Sequence, residues 1–461
     1  MSLPRRNLGL LGALAVLVAV VVGGILLFRQ LEWYAPRIEV HLERATVGRR
    51  AFAVKVGDRG TGLSHVSINL VSAGASRPIH SQTFSDTVHS VDIPVQLDPG
   101  KYRLTDGPGV LSVTAVDRSY WRFFSGNETT LDKVITLDFR PPTVEITGHD
   151  RYVTHGGTGF VTYNASSDTE RTGIRVGRYF FPAYKGQFAD GARYLAFFSH
   201  PYDLPVSERA MVVAEDYAGN KWESPLAYNV QPLRYRSVRV PVSDDFIRRK
   251  IVPLVGEAGG AGGGPREQFV KVNRDLRRVN EDTIRKACQD SAPRKLWDGR
   301  FAQLANSSVQ ANFADRRSYY YRDEKIDEAR HLGYDLAVTR RYPVGASNSG
   351  AVVFAGPLGI YGNTVIIDHG FGLCSLYSHL SSVAATTGQM VKKGTKIGRT
   401  GETGLAVGDH LHYGVYIHGV AVLPLEWWDA KWIRDNVAGK LKRPAAREES
   451  AATTNRTRGD A

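Results

Sequence analysis

From residue 36 to about 232 the chain is written in short alternating segments. "HVSINLV", "LSVTAV", "VITLDF", "AMVVAED" and "LAYNV" place apolar residues at every second position. Gly, Pro, Asp and Asn separate them. Alternation with this spacing predicts antiparallel strands stacked as sandwiches. The pattern also repeats. "DRGTGLSHVSI" (58–68) parallels "DTERTGIRVG" (168–177), and "LSVTAVDRSYWRF" (111–123) parallels "AMVVAEDYAGNKW" (210–222). Each pair sits near the start and near the end of a unit of about a hundred residues. "RPPTVEI" (140–146) marks the junction.

The turn "DYAGN" resembles those of bacterial Ig-like repeats, which serve as spacers or binding modules. Two Ig-like β-sandwiches are therefore expected, at 36–140 and 141–233. A chain of 461 residues is too long for one core, so two to four domains are expected.

The N-terminus sets a topology. Arg5 and Arg6 precede "LGLLGALAVLVAVVVGGILLF", an uncharged apolar run from Leu8 to Phe28. Such a run is long enough to cross a hydrocarbon core as a helix. It ends without a small-x-small cleavage site, so it reads as an uncleaved signal anchor. Residues 1–7 would be a cytoplasmic tail, 8–28 a transmembrane helix, and the rest would lie outside the cell's inner membrane, in the periplasm. Trp33 and Tyr34 suit an interfacial aromatic belt. A net charge of +13 favours anionic partners such as an acidic wall polymer. The basic residues form only short groups, and no nucleic-acid-binding motif is present, so nucleic acid is not expected as a partner.

From 243 the pattern becomes helical. Ser243 can start a helix that must bend or end near Pro253. "GEAGGAGGGP" (256–265) is a flexible loop, and no Gly-Lys-Ser/Thr follows to make it a phosphate cradle. Beyond it Phe269, Val272, Leu276, Val279, Thr283 and Ala287 fall near one helical face. Residues 243–300 read as a short helical connector that packs on the next domain or covers its cleft. Residues 301–435 are again β-rich, and 436–461 are a polar tail expected to be disordered. The fold class is mainly β and multidomain. Cys288 and Cys374 are the only cysteines. They read as two buried free thiols or as a pair.

Six of the thirteen histidines lie between 331 and 418. In "ARHLGYDLAV", His331 and Asp335 are four apart, on a loop entering a strand. An imidazole and a carboxylate so placed can converge on one ion. "YGNTVIIDHGFGLCSLYSHLS" reads as a β-hairpin whose return strand puts Leu373, Ser375, Tyr377 and His379 on one face. His379 is there either an exposed strand residue or part of a site; His369 beside the turn reads as structural. A glycine-rich loop, "GTKIGRTGETGLAVGDH", leads into "HLHYGV". On that strand His410 and His412 share a face about 7 Å apart. One can ligate a metal while the other touches what the metal binds. His418, at a Gly turn, falls outside.

Taken in order, "HLGYD", "GNTVIIDHG", "YSHL", "GRTGETG" and "HLHYGV" resemble the lysostaphin/LytM-type zinc endopeptidases that cut peptidoglycan peptides. The resemblance covers about 310 to 430. It implies an antiparallel β metallopeptidase domain at 301–435. It further implies Zn2+ held by His331, Asp335 and His412, with His379 and His410 as the catalytic pair. Three protein ligands leave a position for a zinc-bound water, the expected nucleophile. Which histidine is the general base stays open at this level. Ala314 departs from the Gly that relatives often carry.

The function so implied is a membrane-anchored zinc metalloendopeptidase acting on peptidoglycan cross-links. Two other readings compete. One is a non-catalytic LytM-type regulator that activates other wall hydrolases, against which the complete ligand set argues. The other is an envelope adaptor that binds a protein partner through its Ig-like domains.

Overall fold

The computed structural model describes residues 5–188, 191–260 and 262–441, without the side chains of 5–12, 26, 27 and 29. Residues 1–4 of the expected cytoplasmic tail and 442–461 of the expected disordered tail lie outside the described residues. Residues 436–441, at the head of that tail, are helical. The chain divides into two compact units: Met1–Pro142 with Asp168–Glu170 and Glu215–Trp222, and the remainder.

In the first unit, Arg37–His41, Phe52–Gly57 and Ser90–Val95 form a three-stranded sheet. Thr46–Val47, Glu128–Leu137, Gly107–Asp117, Leu63–Ser72 and Ala75–Val88 form a five-stranded one, in that spatial order. The alternation read from the sequence is the alternation of burial. Leu111, Val113 and Ala115 point inward along Gly107–Asp117, and the residues between them face outward. Val54 and Val56 of the smaller sheet share a core with Val66, Ile68 and Leu70 of the larger. Each such side chain, fully buried, stabilises the fold by about 1.5–3 kcal/mol.

The expected membrane span falls on a helix, Arg5–Gln30. The structure does not bear out the span itself: among the described residues no helix is long and apolar enough to cross a membrane. The apolar side chains of 8–12, 26 and 27 lie outside those residues.

In the second unit, Val144–His149, Thr158–Ala165, Arg193–Ser199 and Tyr184–Lys185 make one sheet, and Tyr179–Pro182 pairs with Gly173–Val176 in another. The helical segment begins where expected, with the Ser243 hydroxyl accepting from Phe246 N at 3.1 Å. Its buried face differs from the expected one. Phe269, Val272 and Leu276 are buried, but then Asn280 and Ile284 follow, and Val279 is exposed. The cause is a π-helical turn at Val272–Leu276. Its extra residue rotates everything downstream relative to a regular 3.6 period.

The C-terminal sheet is ordered Ser308–Ala311, Tyr334–Ala337, Leu411–Ile417, Leu373–Leu380, Asn363–Asp368, Gly350–Pro357, Met390–Val391. Val420–Val422 folds back on the second half of Leu411–Ile417. The predicted hairpin is present. Its strands Asn363–Asp368 and Leu373–Leu380 are joined through Gly370 and Gly372, both at positive φ (+89° and +78°), where glycine carries no Cβ penalty. Leu411–Ile417 is buried on both faces, so its register is strongly specified. That register sets His412 opposite Asp335 on one side and Ser378 on the other. Cys288 and Cys374 are both buried and free.

Candidate metal centre

His331 sits in the loop between strands Glu324–Arg330 and Tyr334–Ala337. The loop is pinned by His331 N to Asp315 O and by Ala314 N to His331 O. Ala314 has φ +59°, a left-handed conformation that glycine adopts without a Cβ penalty. The ring's Nδ1 donates to Asn312 O at 2.9 Å. A carbonyl only accepts, so Nδ1 carries the proton and Nε2 of the neutral ring offers a lone pair.

That Nε2 meets Asp335 Oδ1 and His412 Nδ1, each at 2.9 Å, and the latter two are 3.0 Å apart. All three residues are buried. Asp335 Oδ1 and His331 Nε2 are both acceptors, and a single proton on His412 Nδ1 can serve only one of them. A cation satisfies all three at once. Two nitrogens and one carboxylate oxygen are a donor set that suits zinc. Asp335 Oδ2 is held by Arg317 Nη2 at 2.7 Å, which fixes the carboxylate's orientation. Burial opposes ionisation of Asp335, yet His331, His410 and His412 hold its pKa well below the usual carboxylate range. His412 is pushed down to about 4, first by burial and then by its histidine neighbours, with Asp335 opposing.

The structure brings the other two predicted residues to the same place. His410 Nε2 lies 3.4 Å from Asp335 Oδ1. The His379 ring centroid is 4.9 Å from that of His410 and 5.8 Å from that of His412. Each has its Nδ1 tied to a carbonyl, Thr403 O for His379 and Gly408 O for His410, both at 2.8 Å. Burial, then the charges of His410 and His412, pushes His379 well below the ordinary histidine value. Burial also works against the charged form of His410, but Asp335 overrides it and His410 is raised. All five residues line one cavity of about 660 Å³. Phe269, Asn273 and Arg277 of the helical connector line it too.

His418 stands apart, stacked on Tyr184, and His369 is spent on Ser349 O and Ser375 Oγ. Three contributors escaped the sequence reading. Arg317 lies in an ordinary strand, and nothing in "DRRSYY" marks it. Asn312 acts through its backbone, which no side-chain motif reports. Gly333 is needed because a Cβ there would stand 2.8 Å from the His412 ring; the Gly inside "HLGYD" was the available signal.

Residues 329–424 match the model of Peptidase family M23. The C-terminal domain is an M23 domain. Its metal triad, His331, Asp335 and His412, is intact. The chain is 43% identical over 95 residues to the DD-carboxypeptidase/endopeptidase Mpg of Neisseria meningitidis, covering 21% of this chain and 22% of that protein. It is 32% identical over 140 residues to the peptidoglycan DD-endopeptidase ShyA of Vibrio cholerae, covering 30% of each. The chain thus spans well under half the length of these curated relatives. Among solved structures, the catalytic domain of lysostaphin from Staphylococcus simulans aligns at 26% identity and a TM-score of 0.23, over 27% of this chain and 92% of that one.

Proposed function

We propose that this chain is a membrane-anchored zinc metalloendopeptidase that hydrolyses peptide cross-links of peptidoglycan. One observation carries the reading: three lone-pair donors converge within 3.0 Å in the lining of a cavity also lined by two further histidines. Zinc, when bound by His331, Asp335 and His412, supplies a Lewis acid that lowers the pKa of water and polarises a carbonyl. The rest is done by the chain. Arg317 orients Asp335, and Asn312 O orients His331, so the ligands are set before substrate arrives. His379, with Nδ1 fixed on Thr403 O, keeps Nε2 for proton exchange with what enters the cavity, and His410, with Nδ1 fixed on Gly408 O, holds its Nε2 beside Asp335 at the same cavity. One takes a proton from the attacking water and the other gives a proton to the leaving amine. The apolar run Leu8–Phe28 would hold the enzyme at the membrane, and the two Ig-like sandwiches would act as spacers or bind an envelope protein.

The test is made on the full chain. Purified protein is assayed for bound zinc and incubated with cross-linked muropeptides. One zinc per chain with chelator-sensitive cleavage is expected. Full zinc occupancy without turnover would overturn the enzymatic reading.

A further inference from the structure

The two copies of the sequence repeat each gather three acids that the M23 chemistry does not use. Glu32, Asp58 and Asp117 offer ligand atoms within 4.8 Å of one another, and so do Asp138, Asp168 and Asp216; all six belong to the first unit. The clusters share a plan. In the first, Asn127 N and Nδ2 donate to the two oxygens of Asp117 at 2.7 and 2.8 Å, and Nδ2 also reaches Glu32 O. In the second, Asn220 N and Nδ2 donate to Asp216 at 2.8 and 2.9 Å, and Nδ2 reaches Asp138 O. A geometry repeated down to the donor atoms is harder to ascribe to accident than a single acidic cluster.

What points to a ligand is the set of oxygens left over. Asp58 is only 5% exposed. Its Oδ2 takes Gly60 N and Gly62 N, while Oδ1 is buried and meets no donor. In the second copy Asn220 is fully buried, with its amide on Asp216 and its Oδ1 unpartnered. Asp168 Oδ1 is buried without a partner as well. Among the described residues none of the six acids has a Lys, Arg or His ion-pair partner within 4 Å. A buried oxygen without a donor, among like charges, is costly unless a cation joins it. The donors are all oxygen. That favours a hard cation over zinc, and partly buried carboxylates suit Ca2+ better than the strongly hydrated Mg2+.

We propose that the first unit holds two calcium sites of one design, one on Glu32, Asp58 and Asp117 and one on Asp138, Asp168 and Asp216. The sites would brace the turns that open and close each repeat.

Calorimetric titration of the zinc-loaded full chain in calcium-stripped buffer should show two Ca2+ per chain. Dissociation constants of about 10⁻⁴ to 10⁻³ M are expected, the range of extracellular modules. Asp58→Asn should lose one ion and Asp168→Asn the other, each weakened about tenfold or more because one ligand charge is gone, with zinc content unchanged. Tb3+ luminescence on the unmodified chain gives a reading that no misfolded variant can confuse. Trp33 and Trp121, with ring centroids 5.5 Å apart and close in sequence to Glu32 and Asp117, should sensitise it. Ca2+ should quench that signal at concentrations where Mg2+ does not. No calcium heat up to 10 mM (about tenfold above the weakest expected constant) overturns the proposal. So does a signal that Mg2+ displaces equally well, or wild-type stoichiometry in both variants.

Discussion

The M23 triad and the two acidic triads solve the same electrostatic problem in opposite ways. Asp335 brings one negative charge to its site and is surrounded by His331, His410, His412 and Arg317. Each acidic triad brings three carboxylates with no cationic side chain in ion-pair contact with them among the described residues. The first site is therefore built to hold its shape through side-chain contacts. The second kind depends on an ion for its balance. Donor type then divides the metals: nitrogen with one oxygen for zinc, oxygen alone for calcium.

Removing a nitrogen ligand should have the largest effect. His331→Ala should abolish zinc binding and lower cleavage by about 10⁴-fold or more, while calcium heats stay as in wild type. Retained stoichiometric zinc by atomic absorption would break the comparison. His379→Ala tests the residue beside the triad. Zinc should stay bound and kcat should fall about 10³-fold, seen in single-turnover cleavage; full activity would remove His379 from the mechanism.

Glu426 shows what a buried acid does when neither solution is at hand. It lies in the Pro424–Trp428 helix, accepts from Thr158 N at 2.7 Å, and has no cation partner among the described residues. Burial pushes its pKa from 4.5 up to about 8, with the Thr158 and Thr154 hydrogen bonds opposing. The folded state therefore holds the proton more tightly than the unfolded one. Its stability contribution is complete below about pH 4.5 and is lost as pH rises to about 8, a change on the order of 5 kcal/mol. Denaturant unfolding of wild type against Glu426→Gln across that window should show the slope in the first and not in the second. The smallest effect is expected at Arg317→Met. Zinc affinity should weaken about 10- to 100-fold with the ligands still in place, as read by competition with a zinc chelator. Unchanged affinity would mean that Asp335 needs no external support.

The sequence exposed these two kinds of site unequally. His331, Asp335 and His412 were readable because histidine at fixed spacing is rare and a strand's period of two ties His410 to His412. The acidic triads drew on residues as far apart as Glu32 and Asp117. Asp and Glu are common on any surface, so only the repeat hinted that Asp58 and Asp168 correspond. The alternation of strands was legible for the same reason as the histidines: burial follows the period. The connector's face was misread from Val279 onward because a π turn leaves no mark in hydrophobic spacing. Arg317 was invisible because its role is defined by a partner that the sheet register brings to it.

His379 carries one more consequence. Its backbone sits at φ +63°, in the middle of a buried strand end. For a residue with a Cβ this conformation costs on the order of 1 kcal/mol. A library of variants at this position sorted for thermal tolerance alone should therefore enrich Gly or Asn over the native histidine. The same library sorted for wall cleavage should return histidine. Where the two selections disagree, the disagreement itself marks the residue as kept for chemistry at the expense of the fold.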